Sequence, residues 1–248
     1  MRFDAHTPMT DHDQSTDETP FDSAVRAVQD AVTSRRQFLA GSTAAGLGAL
    51  AFGTSSVAAD EHADGASDET TDVDVLNYAL TLEHLEDAFY AHNLKSLGGY
   101  YSKETIVTAD MFDHLPWGAR EPIYGNLTDI GEHEAAHVET LEAVIEDLGG
   151  TPVEKAEYEF GTMQANNPTA FFETAMALEN TGVAAYAGAA PSISNDDLLS
   201  AALSVHSVEA RHAAYLNRLN GADPFPNAFD EAKSMDEVLE VASQFIAD

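Results

Sequence analysis

The same order of residues occurs twice along the chain: a lone glutamate is followed by a Glu-x-x-His motif. The lone glutamates are Glu83 and Glu179, and the motifs are Glu134-Ala-Ala-His137 and Glu209-Ala-Arg-His212. A Glu and a His three residues apart on a helix lie on one face, so a single metal ion can contact both. Two such helices, with one Glu from each of two others, form the ligand set with which a four-helix bundle binds two metal ions. The repeat therefore predicts an all-α bundle.

The surroundings of the motifs decide how much weight they carry. Alone, a Glu-x-x-His motif usually marks a solvated helix face, because so short a motif often arises by chance. Here both copies lie in stretches with helical apolar spacing. Each predicted helix ends soon afterwards at glycine, at Gly149 and at Gly221. The joint pattern favours a metal site, because an inward glutamate in a bundle core is costly without a cation.

An internal alignment identifies the ligand on the first helix. Residues 82–91 and 178–187 match in Leu, Glu, Tyr and the final Ala. This alignment pairs Glu83 with the lone glutamate of the second half, whereas Glu86 falls opposite Gly182. We therefore predict Glu83 as the ligand. Four carboxylates and two imidazoles suit two iron or two manganese ions better than a lone structural zinc, and these donors do not distinguish iron from manganese.

At the level of whole segments, the chain resembles the ferritin-like superfamily, and especially its secreted, desiccation-related branch. The matching segments are residues 76–90, 132–141, 177–190 and 207–216. The resemblance covers roughly residues 74–220 and implies a ferritin-like four-helix bundle with a long crossover between two helix pairs.

The resemblance also implies a role for each ligand. Glu83 and Glu179 would be terminal carboxylates. Glu134 and Glu209 would bridge the two metals, and His137 and His212 would cap one metal each. A tyrosine seven residues after each lone glutamate would lie near the metals, which fits Tyr90 and its counterpart Tyr186. Tyr90 is the predicted catalytic residue, supplying an electron or a hydrogen bond to bound oxygen. The histidines outside the repeat are predicted to be surface or hydrogen-bonded residues: His84, His92, His133 and His206.

The domain is predicted to span residues 74–248. Its expected helices cover about residues 74–97, 121–148, 168–190 and 195–220, with a final amphipathic helix at 234–246. Residues 98–121 form an insertion that could alter access to the site. The linker at residues 149–167 is long enough to cross the length of the bundle.

Charge and composition limit the partners. The formal net charge is −32, from 43 acidic and 11 basic residues, so no basic patch is available for nucleic acid. Such self-repulsion is best tolerated where salt screens it, which indicates a high-salt environment. The chain has no cysteine, which excludes disulfides, thiolate catalysis, Fe–S clusters and a lipoprotein anchor.

The N-terminal 59 residues have the pattern of a twin-arginine export signal. Arg35 and Arg36 precede an apolar, Gly- and Ala-rich run, and small residues before Asp60 suggest cleavage after Ala59. The n-region before the arginines is unusually long and acidic. An uncleaved signal that tethers the protein to the membrane is the alternative. Residues 60–73 are predicted to be an acidic linker. Export through the twin-arginine machinery, to the cell surface or outside the cell, is the expectation.

Two classes of function are compatible with these sequence features. The leading hypothesis is di-iron or di-manganese redox chemistry, with oxidation of Fe(II) by O2 or peroxide, or removal of peroxide. The alternative is a non-catalytic stress or desiccation scaffold whose metal is structural or absent, because a fold does not fix a function. A homo-oligomer is compatible with the sequence, but the signal, insertion and long termini argue against a 24-subunit storage cage.

Overall fold

The computed structural model describes residues 70–164 and 167–247, and it confirms an all-α bundle. The predicted signal, its cleavage site and the linker as far as residue 69 lie outside these residues. The described helices are α1 (Asp72–Asn93), α2 (Lys103–Val107), α3 (Trp117–Arg120), α4 (Ile123–Asp147), α5 (Thr169–Ala189), α6 (Asp196–Leu219) and α7 (Met235–Ser243). Short 3₁₀ turns lie at Lys95–Leu97, Asp110–Phe112 and Ala190–Ser192.

The helix ends follow local sequence signals. Thr71 caps α1 in a capping box with Asp74, and Asn195 caps α6 through its side chain. The first helix ends at Asn93, four residues before the predicted end. The chain turns there through Gly98, whose φ is 105°, and a Cβ at Gly99 would clash with the carbonyl oxygens of the last turn of α1.

The four long helices form two antiparallel pairs, α1 with α4 and α5 with α6. Asn77, near the start of α1, bonds Thr151 just beyond α4, and Ser96, just after α1, bonds Thr128 near the start of α4. In the second pair, Asn220 beyond the end of α6 donates to the carbonyl of Phe172 at the start of α5.

Helices α4 and α5 run in the same direction, so the segment between them must return along the bundle. This segment lies along α1. The backbone N–H of Val153 donates to Asn77, and the hydroxyl of Thr162 donates to Asn93, one at each end of the helix. The segment therefore follows the length of α1, and the connection is long and extended, as predicted.

Two apolar clusters fill the interior: the larger extends along α1 from Val75 to Leu94, and the smaller lies at the end where α1 begins. One is rich in aromatic side chains, with Phe89, Phe171 and Phe172 in ring contact. The other is mainly aliphatic and includes Leu80 and Ile145. Because stacked and edge-to-face rings fix one another's positions, the aromatic cluster is the more tightly specified.

The insertion and the C-terminal helix both pack on the aromatic cluster. Tyr101 and Phe112 of the insertion are fully buried, and the Tyr101 hydroxyl donates to the carbonyl of Thr162 in the crossover. From α7, Val238 is fully buried, and Phe245 after the helix packs against Phe160. The insertion therefore closes one end of the bundle.

Among the residues that the structure describes, no helix is both long enough and apolar enough to cross a membrane.

Candidate metal centre

The structure brings the six predicted ligands together in the middle of the bundle. Glu83 lies on α1 and Glu179 on α5, while α4 and α6 each contribute a Glu and a His one turn apart. The four glutamates are 0% exposed: Glu83, Glu134, Glu179 and Glu209. The two histidines, His137 and His212, are 5% exposed. All six therefore lie in the interior of the bundle.

Their donor atoms form two overlapping groups. One group contains Glu83 and His137 and the other contains Glu179 and His212, and both include Glu134 and Glu209. Within each group, one donor atom per residue lies within 4.8 Å of every other. Two carboxylates shared between two groups is the arrangement that two bridged cations require.

Several of these atoms crowd together without forming hydrogen bonds. His212 Nδ1 lies 2.9 Å from Glu134 Oε1 and 3.2 Å from Glu179 Oε2, yet none of these three atoms has a hydrogen-bond partner among the described residues. Both carboxylate oxygens of Glu209 are also buried and unpaired there. Because buried polar atoms are normally satisfied, this donor set fits two cations with oxygen and nitrogen ligands.

The electrostatics of the group show how strongly its carboxylates repel one another. Burial raises the pKa of Glu134 and Glu209 well above the usual value, and neighbouring carboxylates raise it further. For Glu83, burial opposes ionisation, but the His137 imidazole outweighs it and lowers the pKa. For His137, burial opposes protonation, but Glu83 outweighs it and raises the pKa. A divalent cation would replace these protons as the balancing charge.

The two tyrosines of the repeat exchange partners between the halves. Tyr90 donates to Glu179 Oε1 and Tyr186 donates to Glu83 Oε1, each at 2.5 Å. Both phenols are buried; burial and the accepting carboxylate raise their pKa well above the usual value, so both stay protonated. Each lone glutamate of the repeat is thus oriented by the tyrosine of the opposite half.

One histidine outside the repeat contacts the site. His133 Nδ1 lies 3.0 Å from His212 Nε2, and the two rings stack with centroids 5.2 Å apart. This contact leaves His212 Nδ1 facing the carboxylates, as an outer partner does for a ligating imidazole. The prediction of a surface or hydrogen-bonded residue is consistent with exposed His133, but it did not anticipate the contact with a ligand. His84 bonds the crossover at Val153 instead.

An apolar cavity of about 60 Å³ reaches the site from the end opposite the insertion. Its walls include Leu76, Val144 and Ala202, and it contacts the site through His137 and Tyr186. This volume is several times the roughly 10–15 Å³ that a cavity needs to hold one small molecule such as water. The insertion therefore leaves this route to the centre open.

Comparison with known families agrees with this geometry. The profile of the ferritin-like domain family matches residues 71–222, which is more than half of the chain and includes all six candidate ligands. The chain belongs to the ferritin-like domain family. A search of curated proteins finds no significant match to this ferritin-like chain.

The ferritin-like bundle also holds a fifth buried glutamate, which the internal alignment set aside. Glu86 is 3% exposed, and its Oε2 has no hydrogen-bond partner among the described residues. Gly182, its counterpart in the repeat, lies beside it: a Cβ there would be 3.1 Å from Glu86 Oε1. The sequence signal was present, because a glutamate stands opposite a glycine where the repeat is otherwise similar.

Proposed function

We propose that this protein is an exported oxidoreductase with two iron or two manganese ions at the candidate metal centre. The observation that carries the proposal is the pair of donor groups that share Glu134 and Glu209. Glu83 and Glu179 would be the terminal carboxylates, and His137 and His212 would each complete one metal position. Four carboxylates can balance the charge of two divalent cations in a site where water is excluded.

The proposed reaction is oxidation of Fe(II) or removal of peroxide. A pair of Fe(II) ions held by these residues would supply two electrons, enough with two protons to convert O2 to hydrogen peroxide or hydrogen peroxide to two waters. The protein's own residues bind and orient: Tyr90 and Tyr186 hold the terminal carboxylates, and His133 holds His212.

The cavity favours dioxygen as the oxidant. Its lining is almost wholly apolar, and a polar molecule that leaves water without new hydrogen bonds pays a desolvation cost. Dioxygen forms no strong hydrogen bonds in water and loses nothing in such a passage, whereas hydrogen peroxide loses several. A scaffold with structural metal, the alternative function, would account for the other features of the site, but it would not need this access route for a small oxidant.

Location is part of the proposal. The twin-arginine segment supports export of a protein that has already folded around its metal, and the charge of −32 supports a salt-rich environment. We therefore place the protein outside the cytoplasmic membrane, with the acidic surface screened by salt.

The first experiment measures metal content. Protein isolated from iron- or manganese-supplemented cells, in high salt, should hold two ions per chain by elemental analysis. E134A and E209A should lose most of this metal, whereas E139A, an exposed change on the same helix as Glu134, should keep it. A content far below two ions in the wild type, together with no effect of E134A or E209A, would contradict the proposal.

The second experiment measures turnover in the same preparations. Stopped-flow absorbance should show rapid Fe(II) oxidation with O2 in the wild type and loss of that phase in E134A. Two bound metals with no turnover by O2 or peroxide would favour the scaffold.

A further inference from the structure

Glu86 has the position of a ligand although it lies outside both donor groups. It follows Glu83 by three residues and precedes Tyr90 by four, so the three side chains form one inward row on α1. All three are buried, and the other two contact the centre through their oxygens. Glu86 therefore faces the same interior space.

Gly182 provides the room for this carboxylate. A Cβ at that position would lie 3.1 Å from Glu86 Oε1 and 3.2 Å from Glu209 Oε2. Both oxygens thus border the same small space beside α5, and one of them belongs to a candidate bridging ligand. An alanine there would press on both carboxylates, so glycine keeps the space open for them.

One of the two carboxylate oxygens of Glu86, Oε2, is buried without compensation among the described residues. Burial, and then the negative charges of Glu179 and Glu83, raise the pKa of Glu86 well above its usual value. A buried carboxyl group without a partner costs free energy that a hydrophobic residue would avoid. A cation nearby removes that cost.

We propose that Glu86 is a seventh protein ligand of the metal centre, binding from the side of Gly182. This inference rests on the proposed function, because it requires metal at the six-residue site. It adds a fifth carboxylate to the centre and breaks the twofold symmetry of the ligand repeat, since the second half has glycine at the equivalent position.

The test compares two neighbouring substitutions that remove the same charge. E86Q keeps the shape of the buried side chain, whereas D87N changes a partly exposed residue whose partner is Lys155 in the crossover. Metal affinity is measured with Mn2+ by competition titration in high salt. We expect E86Q to weaken binding at least about tenfold, as loss of a group that supports a metal site does. D87N should change the affinity by no more than about twofold, because salt screens a charge that reaches solvent.

A second comparison uses the space beside Gly182. G182A should fold, because alanine is favoured over glycine within a helix. It should weaken Mn2+ binding about tenfold when Glu86 is present and much less in an E86A chain, where the new methyl group fills vacated space. Part of the loss remains, because the methyl group also lies near Glu209. An equal loss in both backgrounds would overturn the inference.

A crystal structure of the Mn2+-loaded protein gives a readout that does not depend on affinity. A Glu86 oxygen should lie within about 2.5 Å of a metal, which is the range of carboxylate ligands to divalent cations. If the loaded protein keeps Glu86 outside that range, or if E86Q binds Mn2+ as D87N does, Glu86 is not a ligand. Those results leave the six-residue centre standing, whereas a wild type without metal would remove both proposals.

Discussion

The protein without metal should become less stable as the pH rises from 5 to 8, which is unusual for an acidic protein with many carboxylates. The reason lies in the buried glutamates whose pKa is raised in the folded state: Glu86, Glu134 and Glu209. As the pH rises above the unfolded pKa near 4.5, these groups ionise in the unfolded chain before they ionise in the folded one. Folding then takes up protons, so a rising pH favours unfolding.

The signs of the other candidate ligands with a shifted pKa agree with this trend. The pKa of His137 is raised, so its contribution is complete below the unfolded value near 6.5 and is lost as the pH rises further. The pKa of Glu83 is lowered, so its contribution is lost only in acid, below the window of the experiment. His133, beside the site, acts in the opposite sense: burial and the neighbouring imidazoles lower its pKa, so it adds stability as the pH rises toward 6.5 and offsets part of the trend below that value.

The magnitude follows from proton counting. Each group that is protonated only in the folded state costs about 1.4 kcal/mol per pH unit. One such carboxyl group lowers the free energy of unfolding by about 1.4 kcal/mol per pH unit, and three lower it by about 4 kcal/mol per pH unit. Because a domain is stable by only about 5 to 15 kcal/mol, even the smaller slope removes much of the stability over three pH units.

The assay is urea unfolding, followed by circular dichroism, at several pH values in EDTA and 1 M KCl. The salt shortens the Debye length to about 3 Å and suppresses repulsion among surface carboxylates, which would otherwise give a slope of the same sign. E134Q/E209Q should flatten the slope, since it removes two of the titrating groups. E139Q/E146Q, which changes two exposed residues on α4, is the matched control and should keep it.

Metal should reverse the behaviour. Binding of cations requires ionised carboxylates and releases the protons, so affinity increases with pH. At a free metal concentration 100 times the Kd, stabilisation reaches about 2.7 kcal/mol, and the gap between loaded and metal-free protein should widen from pH 5 to 8. A metal-free protein whose free energy of unfolding stays constant or increases over this range would refute the reasoning, as would equal slopes for the buried and exposed double variants.

Three further predictions concern the surroundings of the site. Y90F removes the 2.5 Å hydrogen bond to Glu179 and should lower metal affinity about 10- to 100-fold in competition titrations. Its control is Y78F, which should leave the affinity unchanged because the buried Tyr78 hydroxyl has no hydrogen-bond partner among the described residues. G188A would drive a Cβ into the backbone carbonyl of the residue before the α7 cap and should lower the free energy of unfolding by about 1 to 3 kcal/mol in urea titrations. Its control G125A, in open space on α4, should gain about 0.5 to 1 kcal/mol. A202F should fill the apolar cavity and slow Fe(II) oxidation by O2 in stopped-flow measurements while the metal content stays at two ions per chain.

The sequence predicted the fold because its main signals are local. Helical spacing, glycine stops and the cap at Asn195 set the elements, and the structure places their bounds within a few residues of the expected ones. The repeat then named six residues on four helices, and the structure brings all six together. Their convergence follows from periodicity alone, since each Glu-x-x-His pair occupies one inward face.

The contacts that were not predicted depend on how helices from different pairs fit together. The exchange of tyrosine partners between the halves requires the relative height of α1 and α5, which no single helix encodes. The position of His133 beside His212 likewise depends on how α4 packs against α6. Glu86 was set aside because the alignment favoured Glu83. Its carboxylate nevertheless fits the space that Gly182 leaves between α1 and α5.

The six candidate ligands repeat between the two halves of the chain, but the residues around them do not. The residue before the glutamate of the Glu-x-x-His motif is His133 in one half and Val208 in the other, so only the first half supplies an imidazole that contacts the opposite histidine. His212 accordingly has an exposed, hydrogen-bonding neighbour, whereas His137 borders the apolar cavity. The two halves of the repeat therefore differ in polarity around their histidines, with a polar contact at His212 and an apolar cavity at His137.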